Sequence, residues 1–224
     1  MNDRMIIKNT FTIIISGLLL ITIFLLPQPA RADAPICRSP NLAIPDGLST
    51  DYDTPTPGPG PLVKDTLVVN SAGTIQDLNV VISTTHPFVG DLVFTLTHKV
   101  GPTETNAVIY RMPLLGSSAV TITTEPACSG DNIDITLDDE AALDVQVNCM
   151  EGYQQHDGTQ AYIAGGFYKP YSSLSVFDGQ TLSGAWELAV ADNFNQDEGV
   201  LKRWCLVPTT ESDGQRVYLP IVIK

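Results

Sequence analysis

Apolar and polar residues alternate along most of the chain in short runs broken by Gly, Pro, Asn and Asp. Alternation with a period of two is the mark of a strand with one face in a core and one toward water. It is clearest between Gly184 and Val207. There Trp186, Leu188 and Val190 point one way, and Ala185, Glu187 and Ala189 the other. The polar run Asp192 to Gly199 predicts a turn, and Val200 to Val207 a second strand carrying Trp204 and Cys205. The two together predict a hairpin that holds both tryptophans of the chain and closes a β-sandwich core.

Further strands are predicted over Leu62 to Val69, Thr74 to Ser83, Leu92 to Thr97, Ala107 to Arg111, Ala119 to Thr123 and Ile133 to Leu137. In the second of these Ile75, Leu78, Val80 and Ile82 are core candidates. The link ending at Asn106 reads as polar, Gly165 to Ser173 as a loop, and Leu174 to Phe177 as a brief apolar piece. With no 3.6-residue stripe and no internal repeat, the pattern predicts an all-β sandwich or jelly roll.

The two ends read differently. Arg4 and Lys8 precede the uncharged apolar run Phe11 to Leu26, followed by Pro27, Pro29 and the small-residue site Ala30-Arg31-Ala32. That is a secretory signal peptide over residues 1–32, with cleavage expected after Ala32 rather than retention as an anchor. Residues 33–61 read as a proline-rich leader, extended or irregular, with regular structure beginning near Leu62. The domain proper is expected over 62–208. Residues 209–224 make a polar spacer and an apolar tail, Val217 to Ile223, which is too short to cross a bilayer. It reads as an edge strand, or alternatively as a tail for surface attachment.

Charge and cysteines sharpen this picture. Loss of Arg4, Lys8, Arg31 and Asp3 with the signal peptide moves the net charge from −13 to −15. That balance opposes nucleic-acid or anionic-membrane binding and suits either solubility or cation binding. The four cysteines of an exported chain read as two disulfides, for which three pairings exist. The favoured one joins Cys128 to Cys149 across a local loop and Cys37 to Cys205, which ties the N-terminal stretch to the closing hairpin. Three histidines and no C-x-x-C argue against zinc.

Several segments together resemble a known family. His86 to His98 (H-P-F-V-G-D-L-V-F-T-L-T-H) resembles the G-D-L strand of the P domain, or Homo B domain, of subtilisin-like proprotein convertases such as furin and kexin. Ile133 to Ala141 is similar to the acidic segment of bacterial members, and Leu174 to Gln180 to their L-S-x-F-x-G segment. Gly184-Ala185-Trp186-Glu187-Leu188, with Gly199, Leu201 and Trp204, matches the closing G-x-W-x-L … G-x-L-x-x-W pattern. The resemblance spans Leu62 to Val207 and implies a jelly-roll β-sandwich of about eight antiparallel strands. It further implies a module that packs on a subtilisin-like protease and carries no catalytic residue. No protease domain is read ahead of it, so the expected partner is a protease, or another exported protein, contacted in trans.

The chemistry-bearing residues support that reading. There is no G-x-S-x-G and no subtilisin-like serine segment, and His86, His98 and His156 lack a catalytic context. No catalytic residue is assigned, and His86 is expected to be structural. Calcium is the expected ion, if any, because hard cations take carboxylate, amide and carbonyl oxygens. Its candidate ligands are Asp91, Asp138, Asp139 and Glu140, and Asp192 and Asp197 with Asn193 and Asn195. The last loop departs from the EF-hand template, having Phe194 third and Asp197 sixth; aspartates that cap turns are the alternative. Phe167, Tyr168 and Tyr171, with Tyr153, are candidates for a sugar-stacking platform. The expectation is a secreted, non-catalytic binding or stabilising module, possible surface attachment included. Its alternatives are one part of a convertase-type serine endopeptidase with the catalytic domain on another chain, and a carbohydrate-binding or adhesion jelly roll.

Overall fold

A computed structural model describes residues 31–47, 60–111, 128, 130–149 and 160–211 of the chain. The signal-peptide run, the expected strand Ala119 to Thr123, His156, Tyr153 and the apolar tail lie outside these residues.

The described strands are β1 Arg31–Ala32, β2 Ile36–Arg38, β3 Leu42–Ile44, β4 Val63–Val69, β5 Thr74–Thr85 and β6 Leu92–Val100. They continue with β7 Thr103–Arg111, β8 Ile133–Leu137, β9 Leu143–Asp144, β10 Gly166–Lys169, β11 Gly184–Asp192 and β12 Gly199–Glu211. One sheet has the order β4-β11-β6-β7, and the other β1-β12-β5-β8-β10-β9, with β2 and β3 also on β12. The expected β-sandwich is therefore present, with twelve described strands rather than about eight. Most neighbours are antiparallel; β10 runs parallel to both β8 and β9.

Three sequence expectations are corrected. The closing hairpin is not a hairpin: β11 pairs with β4 and β6, whereas β12 pairs with β5 in the opposite sheet. Residues 193–198 thus cross from one sheet to the other. The cause is that both strands present apolar side chains inward, and two such faces bury more by facing each other than by lying side by side. Regular structure also begins before Leu62. Within residues 33–61, β2 and β3 pair with β12 through Cys37↔Cys205 and Val200↔Ala43, covering an edge that would otherwise expose unpaired backbone groups. Finally, Gly166–Lys169 is a strand and Leu174–Phe177 a 3-10 turn. Both are too short for a periodicity to register.

The core lies between the sheets. Trp186 and Trp204, from opposite sheets, are fully buried together with Phe94, Tyr110, Ile75, Leu78 and Ile82. Each such side chain contributes about 1.5–3 kcal/mol by leaving water. One charged residue sits among them. Asp65 of β4 is in phase with Val63, Leu67 and Val69 and is 8% exposed. Its carboxylate accepts from Arg38 Nε at 2.7 Å, Arg38 Nη2 at 2.9 Å and Trp204 Nε1 at 2.7 Å. Burial pushes the Asp65 carboxyl up, but the hydrogen bonds from Arg38 and Trp204 and the Arg38 charge outweigh it and hold it below its ordinary range. The disulfides Cys37–Cys205 and Cys128–Cys149 are both formed. Among the described residues no helix is long and apolar enough to cross a membrane.

Candidate functional site

Two cross-sheet connections meet at one end of the sandwich. The first leads from β5 to β6 through a 3-10 turn at Val89–Asp91, and the second from β11 to β12. Residues near Asp46 and Gly60 close over them from the N-terminal side. The amide of Gly47 donates to the Phe194 carbonyl at 2.9 Å, and that of Gly60 to the Asp192 carbonyl at 2.7 Å. Glycine is required at 47 because a Cβ there would stand 2.3 Å from the Phe194 nitrogen and 2.4 Å from its oxygen.

His86 directly follows β5 and is 2% exposed. The Phe88 amide donates to its Nδ1 at 3.1 Å, so Nδ1 is an acceptor and the proton resides on Nε2. Nε2 in turn donates to Asp192 Oδ2 at 3.0 Å. Asp192 Oδ1 accepts from the Phe194 amide at 3.0 Å, which caps the second connection. Both ring nitrogens of His86 are thus engaged inside the fold, and neither is left to deprotonate a nucleophile. The ring is a bolt between the sheets, as expected of a structural histidine.

Asp91 differs from its neighbours. Its main-chain carbonyl accepts from the amide of Asn193 at 3.1 Å and from Asn193 Nδ2 at 3.0 Å. Its side chain is 0% exposed, yet neither carboxylate oxygen has a hydrogen-bond partner among the described residues. Burial, followed by the charges of Asp192, Asp197 and Asp46, pushes its carboxyl up to about 9. The structure therefore gathers Asp91, Asp192 and Asp197 and adds Asp46, which the sequence did not single out. Asp46 Oδ1 accepts from the Asp197 amide at 3.2 Å. Its only sequence signal was an Asp-Gly pair within a stretch read as leader. Among the described residues no three His, Cys, Asp or Glu side chains stand close enough to cage a metal by themselves.

The other acidic candidates lie elsewhere and are engaged. Asp139 accepts from the amides of Leu174 and Ser175, each at 2.9 Å, and from the Ser173 hydroxyl. It anchors the 3-10 turn at Leu174–Phe177. Asp138 accepts from the Glu140 amide at 2.8 Å, a turn of its own. Asp138 and Asp139 thus each hold a turn through backbone donors, away from Asp91.

The aromatic platform also divides. Tyr168 is 1% exposed, its hydroxyl accepts from the Ile163 amide at 3.0 Å, and its ring meets Tyr162 edge-on at 5.0 Å. A buried ring offers no face to a sugar, which corrects its place among the binding residues. Phe167, its neighbour on a strand, points the opposite way and is 55% exposed, and Tyr171 is 46% exposed beneath the Arg111 guanidinium. The second described histidine, His98, is also internal: its ring stacks on Trp186 at 3.9 Å, and its nitrogens face Gln180 Oε1 and the Ser183 carbonyl.

The two facing sheets, with the buried polar cluster between their crossings, define a β-sandwich module. Residues 133–208 match the family model of the proprotein convertase P-domain. No curated protein sequence matches it. Among solved structures, the chain is similar to the serine protease of Aeromonas sobria, at 15% identity and a TM-score of 0.45, over 82% of this chain and 28% of that one. The crystal structure of the same protease in complex with the chaperone gives 16% identity and a TM-score of 0.44, over 83% of this chain and 28% of that chain. The chain spans little more than a quarter of those protease chains.

Proposed function

We propose that the chain carries a P domain and acts as an exported, non-catalytic module that binds and stabilises a partner, a subtilisin-like protease or another exported protein. The observation that carries the reading is the match of residues 133–208 to a domain of convertases, which are proteases. Export is supported by the signal-peptide pattern at the N-terminus and by two formed disulfides, which persist in oxidising compartments. The non-catalytic reading is supported by His86 and His98, whose ring nitrogens all face groups inside the fold.

The test pairs the exported chain with a subtilisin-like protease secreted by the same organism. Co-elution on size exclusion and a longer half-life of the protease at elevated temperature are expected, since a ligand of the folded state alone must stabilise it. Separate elution with an unchanged half-life removes the protease as partner. Peptide hydrolysis by the isolated chain, abolished by a serine-directed inhibitor, removes the non-catalytic reading.

A further inference from the structure

We propose that the apolar run at residues 217–223 adds to the free edge of β4 as a further antiparallel strand, closing the sandwich along the flank where β2 and β3 meet β4. The inference rests on that edge and on the chain's own sequence, and its failure would leave the binding-module reading standing.

β4 is the last strand of its sheet. It pairs with β11 on one flank and with no described strand on the other. A bare edge presents a row of unpaired N–H and C=O groups, which proteins ordinarily cover, charge or twist away. This edge is apolar instead: Val68 is 63% exposed, and Leu62, just ahead of the strand, 55%. Lys64, the cation of β4, is drawn across the sheet to Glu187 of β11 at 2.8 Å. The seam beneath is incompletely sealed as well. Ile36 of β2, Leu42 of β3 and Val63 of β4 pack against the core yet stay partly exposed.

The course of the chain selects the occupant. β12 ends at Glu211, opposite Thr74 at the start of β5, and only residues 70–73 separate that point from the end of β4 at Val69. The chain therefore leaves the sandwich beside the open edge. It cannot return along β12, whose flanks are taken by β5 on one side and by β1, β2 and β3 on the other. Residues 212–216 hold the turn pair Asp213-Gly214 and can reach about 17 Å, against a sheet-to-sheet spacing of about 10 Å. A strand that crosses there runs back along β4 in the antiparallel sense. Its length fits, since residues 217–223 and β4 are each seven residues long. Its period fits too. Val217, Leu219, Ile221 and Ile223 share one face, and Tyr218, Pro220 and Val222 the other. With the first set in phase with inward-facing Val63, Leu67 and Val69, four aliphatic side chains close the seam, and Tyr218 joins Val68 on the outer face. Pro220 has no N–H to give, a loss that an edge strand tolerates and a central one does not.

Hydrogen exchange of the exported chain tests this, read over residues 62–69 by mass spectrometry. About half of the β4 amides point away from β11. In the native chain these are expected to exchange at least roughly tenfold more slowly than unpaired amides. The double variant Leu219→Asp, Ile221→Asp loses that protection while β5 and β12 keep theirs, and Val222→Asp, on the opposite face, retains it. Sedimentation is expected to show a monomer, with protection independent of concentration. The proposal is overturned if the outer β4 amides of the native chain exchange freely, a result that needs no variant. It is equally overturned if the double variant keeps the native protection, or if protection appears only in a dimer, which would seat the strand on a second copy.

Discussion

Asp65 shows how one residue joins three segments of chain. Its carboxylate holds Arg38 of β2 and the indole of Trp204 of β12 while standing on β4 of the opposite sheet. Asp65→Ala leaves the Trp204 donor buried and unpaired, and an expected loss of about 2–3 kcal/mol should be visible in urea unfolding. The pH dependence follows in sign. The folded pKa lies below the unfolded one. The contribution is therefore fully present above the unfolded value, near 4, and is lost as pH falls through the folded value. Comparing native chain and Asp65→Asn in urea at neutral pH and at progressively lower pH should show their difference shrinking only in the acid range. A difference that shrinks toward neutral pH instead would contradict the ion pair. This residue was legible in part, since a charge in phase with Val63, Leu67 and Val69 demands a partner. Which partner was not, because Arg38 lies in a stretch that showed no strand period.

At the scale of elements, the crossing between β11 and β12 controls the site. Its polar sequence announced a change of direction, but not whether the second strand would return beside the first or in the opposite sheet. Local turn chemistry fixes neither, since the choice depends on which apolar faces are available to cover each other. The crossing is held by close backbone contact at Gly47, so Gly47→Ala should force Phe194 away. An expected loss of about 1–3 kcal/mol in thermal or chemical unfolding follows, as for overpacking elsewhere. If residues 33–47 were only a leader, the substitution would change nothing.

For the whole molecule, the N-terminal segment and the last long strand close the sandwich jointly. Cys37–Cys205 links them across 168 residues of sequence, and β1, β2 and β3 all pair along the edge of β12. Replacing both cysteines by serine is expected to cost about 2–5 kcal/mol, the usual loss on removing a native disulfide. Denaturant unfolding of the double variant against the oxidised native chain measures it. A negligible loss would mean that pairing on β12 alone secures the segment.

The sequence by itself determined the all-β class, the presence of two disulfides though not their pairing, the strands Val63–Val69 and Ile133–Leu137 nearly to the residue, and the family resemblance. These rest on period-two alternation, cysteine parity and short motifs, all of which are local in the chain. Only the tertiary structure decided that β11 and β12 lie in opposite sheets, that Tyr168 turns inward while Phe167 turns outward, and that residues near 36–47 belong to the domain. It also decided which acidic residues share a neighbourhood. Asp91, Asp192 and Asp197 were visible one by one, whereas Asp46 joins them only because the chain returns across the sandwich, and proximity across such distances leaves no trace in a local pattern.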